Sequence, residues 1–205
     1  MLNRLPPLFL GILIAAYWGR VLRMAYKAWR RDGRAANLAP RERAGKLARL
    51  IWVPAVLVWV TQPFFAALWP LAPWLLRPMS YRAWIAWPAV AGAGVCFALS
   101  LRCWKTMGRH WRMGIDPAER NPLICSGPFA TVRHPIYALS MLMMLATMAM
   151  LPSPLMLAAG AVHIALLAWE ARREERHMLG VHGPAYAEYC GRVGAFVPRV
   201  RSSAG

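Results

Sequence analysis

Two groups of residues able to do chemistry flank the longest uncharged stretch of this 205-residue chain. The first is Arg133-His134-Pro135-Ile136-Tyr137, preceded by Gly127-Pro128-Phe129. The second is Glu174-Glu175, followed by Gly183-Pro184-Ala185-Tyr186, Tyr189 and a closing Phe196-Val197-Pro198-Arg199. The His134 imidazole can orient a ligand, donate a hydrogen bond or take a proton. Tyr137 follows three residues on, which puts both side chains on one helical face. Glu170, Glu174 and His177 recur at helical spacing, with Arg172, Arg173 and Arg176 beside them. A carboxylate next to a membrane is costly unless it has a partner or a task, although an internal Glu/Arg ladder is the plain structural alternative. Arg133 and Pro135 likewise admit a plain reading, as a snorkelling arginine and a helix-opening proline. Rings at Tyr186, Tyr189, Phe196 and Trp111 can attract an organic cation or anchor the chain at an interface.

The elements that must position these groups are membrane spans. The composition is 59% hydrophobic and 16% charged, well below the roughly 25% charge of soluble domains. Residues 136–169 contain no Lys, Arg, Asp or Glu. Pro152-Ser153-Pro154 must break that window, leaving two slightly short halves that fold back as a hairpin. With uncharged windows at 5–19, 50–76 and 83–101, the prediction is an all-α integral membrane protein of about five spans. Residues 1–101 would hold three N-terminal transmembrane helices. Residues 102–205 would hold the functional region, its helical hairpin and its cytoplasmic C-terminal helices. The polar stretch 31–49 is expected to be an interfacial helix or link, and the tail beyond Pro198 to be disordered.

Charge orients the spans. Twenty-one Lys or Arg fall in 23–49, 102–133 and 172–205, against three (Arg4, Arg77 and Arg82) on the other side. The positive-inside rule then puts the N-terminus outside and both polar groups in the cytoplasm, in what size and charge bias suggest is a bacterial inner membrane. The net charge of +17 is read as attraction to anionic headgroups of the bilayer rather than to nucleic acid. Cys96, Cys103, Cys125 and Cys190 have no metal-ligand spacing, and no metal site is expected.

From about Trp104 to Pro198 the chain resembles the isoprenylcysteine carboxyl methyltransferase family and its bacterial relatives. The resemblance rests on Leu123-Ile124-x-Ser126-Gly127-Pro128-Phe129, Arg133-His134-Pro135-Ile136-Tyr137, Glu174-Glu175, and Gly183-x-x-Tyr186-x-x-Tyr189 with Pro198 after it. It implies S-adenosyl-L-methionine held in a compact cytoplasmic pocket by Leu123, Ile124, Phe129, His134, Pro135, Ile136, Tyr137 and Glu174. Arg133, His134 and Arg173 become the candidates for catalysis. Phe129 stands where relatives often carry Tyr. Glu170 stands where prenylcysteine-type enzymes carry Arg, with Arg172 or Arg173 the residues available to replace it. The implied acceptor is therefore lipid-like or a small hydrophobic molecule rather than a prenylated protein. Membrane sterol reductases that bind NADPH share an Arg-His-Pro-x-Tyr segment, but Ile136 before Tyr137 and Ala138-Leu139 after it favour the methyltransferase. A non-catalytic membrane protein with a degenerate pocket is the remaining alternative.

Overall fold

A computed structural model describes residues 4–33, 42–69, 73–113 and 122–199. Among them the secondary structure is helical apart from one isolated parallel bridge between Val132 and Gly194. Six α-helices follow in order: α1 (Leu5–Asp32), α2 (Arg43–Leu68), α3 (Ala83–Met107), α4 (Pro135–Met150), α5 (Pro154–His182) and α6 (Pro184–Arg192). Single 3-10 turns at Gly108–His110 and Gly127–Ala130 lie between α3 and α4.

Helix α1 outruns its apolar window because its later turns are amphipathic. Tyr17, Val21, Ala25 and Ala28 are buried at helical spacing, while Arg23, Lys27 and Arg30 are exposed. Gly33, at φ 67°, closes it by donating its N–H to the Trp29 carbonyl, a left-handed cap that glycine adopts without steric cost. Residues 43–49, read above as part of a polar link, are instead the first two turns of α2. The rest of that link (34–41) and the tail (200–205) lie outside the described residues.

The expected hairpin forms, with unequal arms. Helix α4 has 16 residues, roughly 24 Å at 1.5 Å per residue. Helix α5 has 29, because its Glu- and Arg-rich continuation extends the same helix beyond the apolar window. Ser153 opens α5 by accepting the Met156 N–H at 3.0 Å, and the same hydroxyl accepts from Gln62 of α2. Among the described residues, four helices are long and apolar enough to cross a membrane, and α4 is the shorter fifth.

These five pack as a closed ring. Helix α1 lies between α2 and α3, α4 between α3 and α5, and α5 between α4 and α2. Leu10, Ile14, Trp59, Met143, Met144, Met150 and Met156 fill its core. Unbranched, polarisable methionines fit the irregular gaps left between Trp and small residues. Leu57, Leu142 and Leu145 are exposed on the outside, where a bilayer supplies the apolar solvent.

Buried polar side chains tie the ring across its helices. Trp52 Nε1 donates to His163 Nδ1 at 3.0 Å, and His163 Nε2 lies 3.0 Å from Ser140 Oγ. An indole only donates, so Nδ1 accepts and the ring proton sits on Nε2, facing Ser140. Trp59 Nε1 donates to Thr147 at 2.9 Å. Interhelical bonds in membranes average about 0.6 kcal/mol each. His163→Leu strands a buried donor and a buried hydroxyl, so we expect a loss of about 1–3 kcal/mol in stability. Unfolding in a denaturing-detergent titration checks this; an unchanged midpoint would remove His163 from the framework.

Candidate functional site

The site forms where α5 leaves the apolar window and the chain on either side of it folds back. Pro135 opens α4, with His134 at its N-cap. The backbone just before that helix is pinned by the C-terminal segment: Arg133 N–H donates to Gly194 O at 2.8 Å and His134 N–H to Ala195 O at 2.9 Å. Gly194 is required at this crossing, since a Cβ there would lie 1.9 Å from the Val197 carbonyl oxygen. Gly183, at φ 52°, turns the chain from α5 into α6. Arg133 and Val193, 60 positions apart in sequence, are thereby brought into one cluster.

Glu175 organises the cluster. Its Oε1 accepts from Arg133 Nε at 2.9 Å and Nη2 at 2.6 Å, and lies 3.2 Å from His134 Nε2. Arg133 Nη1 reaches the carbonyls of Cys190 and Val193, so one guanidinium joins the α4 entrance, α5 and the end of α6. Burial alone would lower the Arg133 pKa, but the bonded Glu175 carboxylate raises it, which keeps the guanidinium charged. A carboxylate accepts only, so the His134 proton belongs on Nε2 and the Nδ1 lone pair is left available. That nitrogen faces Glu174, whose Oε2 is 3.8 Å away and also accepts the Tyr137 hydroxyl at 3.2 Å. The His134 and Tyr137 rings stack at 5.5 Å between centroids and 1° between planes, and Phe196 packs on His134 at 5.8 Å.

Two chambers open from this cluster. One, of about 580 Å³, is lined by Leu123, Ile124, Phe129, His134, Glu174, Met178, Tyr186 and Tyr189 among others. Tyr189 donates its hydroxyl to the Phe129 carbonyl at 2.5 Å. Burial raises the pKa of both Tyr186 and Tyr189, so both phenols stay protonated at neutral pH. The other chamber, of about 990 Å³, runs into the helix bundle between α1, α2, α3 and α5. Phe129, Arg133, His134 and Glu174 line both. Pro135, Ile136 and Tyr137 line the bundle chamber alone.

Arg173 lines neither chamber. Its guanidinium donates to Glu170 at 2.9 Å and to Glu42 of α2, and lies 4.4 Å over the Trp169 ring. Glu170 does line the bundle chamber, and Arg173 holds it there rather than standing in its place. His177, third in the helical stripe, reaches neither lining. The sequence reading also missed Glu175 as a hub; its only signal was adjacency to Glu174. It missed the wall supplied by Tyr17, Trp18, Arg49 and Trp52 as well, because nothing local marks an apolar helix as a chamber wall.

Residues 85–185 match the family model described as phospholipid methyltransferase. Over that stretch, just under half of its length, the chain is similar to phospholipid methyltransferases. It has the same helical hairpin and flanking polar groups that carried the resemblance to isoprenylcysteine carboxyl methyltransferases. Two curated relatives match 96 residues each. The cobalt-zinc-cadmium resistance protein CzcN of Cupriavidus metallidurans is 36% identical, over 46% of this chain and 44% of its own. The nickel-cobalt-cadmium resistance protein NccN of Alcaligenes xylosoxydans xylosoxydans is 31% identical, over 46% and 45%. The chain thus spans under half the length of these relatives. Among the described residues, no group of three or more His, Cys, Asp or Glu gathers as a metal site. The matched methyltransferase stretch includes α3, α4 and α5, and leaves α1, α2 and most of α6 outside it.

Proposed function

We propose that the chain transfers a methyl group from S-adenosyl-L-methionine to a lipid-like or small hydrophobic acceptor at the cytoplasmic face of a bacterial inner membrane. The observation that carries this reading is the meeting of the two chambers at His134, Arg133, Phe129 and Glu174. The smaller chamber has the donor set that such a cofactor needs. Glu174 offers a carboxylate to a cationic or hydroxyl group, Tyr186, Tyr189 and Phe129 offer ring faces to a sulfonium, and Leu123 and Ile124 offer backbone and apolar contacts. The larger chamber is walled by Tyr17, Trp52, Trp104 and Leu167, a surface suited to an apolar acceptor drawn from the bilayer.

When bound, the cofactor supplies a methyl carbon on a positive sulfur, which passes to an acceptor lone pair while the old bonding pair stays on sulfur. The chain's own task is to hold and desolvate the two reactants in line. Arg133 and Glu175 fix the imidazole plane, and the stacked Tyr137 ring prevents it from turning. For a thiol or amine acceptor, His134 Nδ1 takes the proton that must leave; an anionic acceptor needs none. The N-terminus lies outside in this reading, as the distribution of basic residues favours.

Calorimetric titration of the detergent-purified protein with S-adenosylhomocysteine, and separately with NADPH, tests it. Saturable binding of the first alone is the expected result. Binding of NADPH alone would replace the reading with a reductase, and binding of neither would leave no cofactor-dependent activity to propose.

A further inference from the structure

Arg49 belongs to the second turn of α2, outside the residues matched by the family model, yet it lines the bundle chamber. Its guanidinium lies 4.9 Å over the Trp52 ring and donates from Nη2 to the Met113 carbonyl at 3.2 Å. Its Nε is buried without a hydrogen-bond partner, and no carboxylate among the described residues pairs with it. Of the chamber's carboxylates, Glu170 bonds Arg173 and acts on Arg49 only through space, while Glu174 accepts from Tyr137. Arg133, which also lines the chamber, is neutralised by Glu175.

Two further buried donors in the same lining have no partner, the indole N–H groups of Trp18 and Trp104. No fully buried side-chain acceptor of a lining residue lacks a partner among the described residues. Buried N–H groups are rarely left unmade in a folded protein, and a cluster of them around a cavity calls for oxygen atoms from outside the chain. A cation over an aromatic ring, with its Nε to spare, calls for those oxygens to carry negative charge.

We propose that the α1–α2 wall of the bundle chamber binds an anionic oxygen group of the acceptor, with Arg49 as the residue that determines specificity. The identity of the ligand as the acceptor rests on the methyltransferase reading above; the anion site itself does not. An ammonium headgroup cannot satisfy these donors, because it brings N–H groups and no acceptor. The apolar part of the amphiphile lies against Tyr17, Val21, Trp52, Ile136, Leu166 and Leu167. The helices outside the family-matched stretch thereby select what the methyltransferase domain acts on. The anion is a carboxylate or a phosphate, and the probes below separate the two.

Bromine quenches indole fluorescence at short range, and Trp18, Trp52 and Trp104 all line the chamber. The protein in an uncharged maltoside is titrated with ω-bromoundecanoate, ω-bromoundecyl phosphate and ω-bromoundecylamine, which share a chain and differ in head. The expected result is saturable quenching by one or both anions and none by the amine, the tighter anion naming the source. Arg49→Gln should weaken the anion at least about tenfold, Arg49→Lys should retain most of the affinity, and S-adenosylhomocysteine binding should be unchanged in both. Quenching by the amine as tight as by the anions, or full anion affinity in Arg49→Gln, overturns the proposal. Should Arg49→Gln fail to fold, the head preference of the wild-type protein decides alone. Anion binding without S-adenosylhomocysteine binding would remove the methyltransferase reading and keep the site; the reverse would remove only the site.

Discussion

Arg133→Met is expected to abolish S-adenosylhomocysteine binding and to free the C-terminal segment, while the five-helix ring stays folded. Arg133 is one of few groups that touch the α4 entrance, α5 and the end of α6 together, through Glu175 and the carbonyls of Cys190 and Val193. Methionine fills a similar volume but donates nothing, so a partly buried carboxylate and two carbonyls lose their donor. Bonds of this charge-assisted kind contribute about 1.5–3 kcal/mol each. Both side chains retain some exposure, 12% for Arg133 and 25% for Glu175, so the lower end of that range applies. About 2 kcal/mol favouring the open form suppresses the closed pocket roughly thirtyfold. Lysine does not rescue it, because one ammonium cannot reproduce a forked contact to a carboxylate and two carbonyls. Limited proteolysis near Gly183 should accelerate in both variants, and calorimetry should register no cofactor binding. A variant that resists proteolysis and binds like wild type would remove Arg133 from this role.

Glu174→Gln should have the second largest effect and a different signature. The amide keeps an oxygen that can accept from Tyr137, so the side-chain packing survives while the negative charge is lost. A charge-assisted contact to a cofactor's cationic group is about twice as strong as a neutral one. Affinity for S-adenosylhomocysteine should therefore fall by at least about tenfold, with the unfolding midpoint unchanged. Glu188→Gln is the control: Glu188 is mostly exposed and among the described residues pairs with Arg192, at 3.6 Å, so its cofactor affinity should match wild type. Equal affinities for all three proteins would show that the smaller chamber does not use the Glu174 carboxylate.

The element pattern was legible because membrane helices are marked by composition alone. The Pro152-Ser153-Pro154 break and the proline at the start of α4 correspond to observed boundaries, whereas the uncharged window 50–76 overruns α2, which ends at Leu68. Elsewhere the windows stopped short at their polar ends. Residues 20–32 continue α1 and 43–49 begin α2, since hydropathy registers the bilayer boundary rather than the end of a helix. The i, i+4 spacing of Glu170 and Glu174 was enough to put both on one lined face. It could not say that Arg173 would turn away to Glu42, a residue 131 positions distant.

By itself, the sequence determined that this chain is an all-α membrane protein with a polar cluster at each end of a hairpin. Those features follow from local rules: apolar length, proline sterics, helical periodicity and the cost of charge in lipid. Only the tertiary structure decided which members of the clusters meet. Glu175 rather than Arg173 joins His134, the 193–195 backbone closes over Arg133, and α1 and α2 wall the larger chamber. Contacts of that kind depend on how a closed ring of helices rotates each one about its axis. That rotation is set by side-chain packing among residues far apart in the chain, which no local window contains.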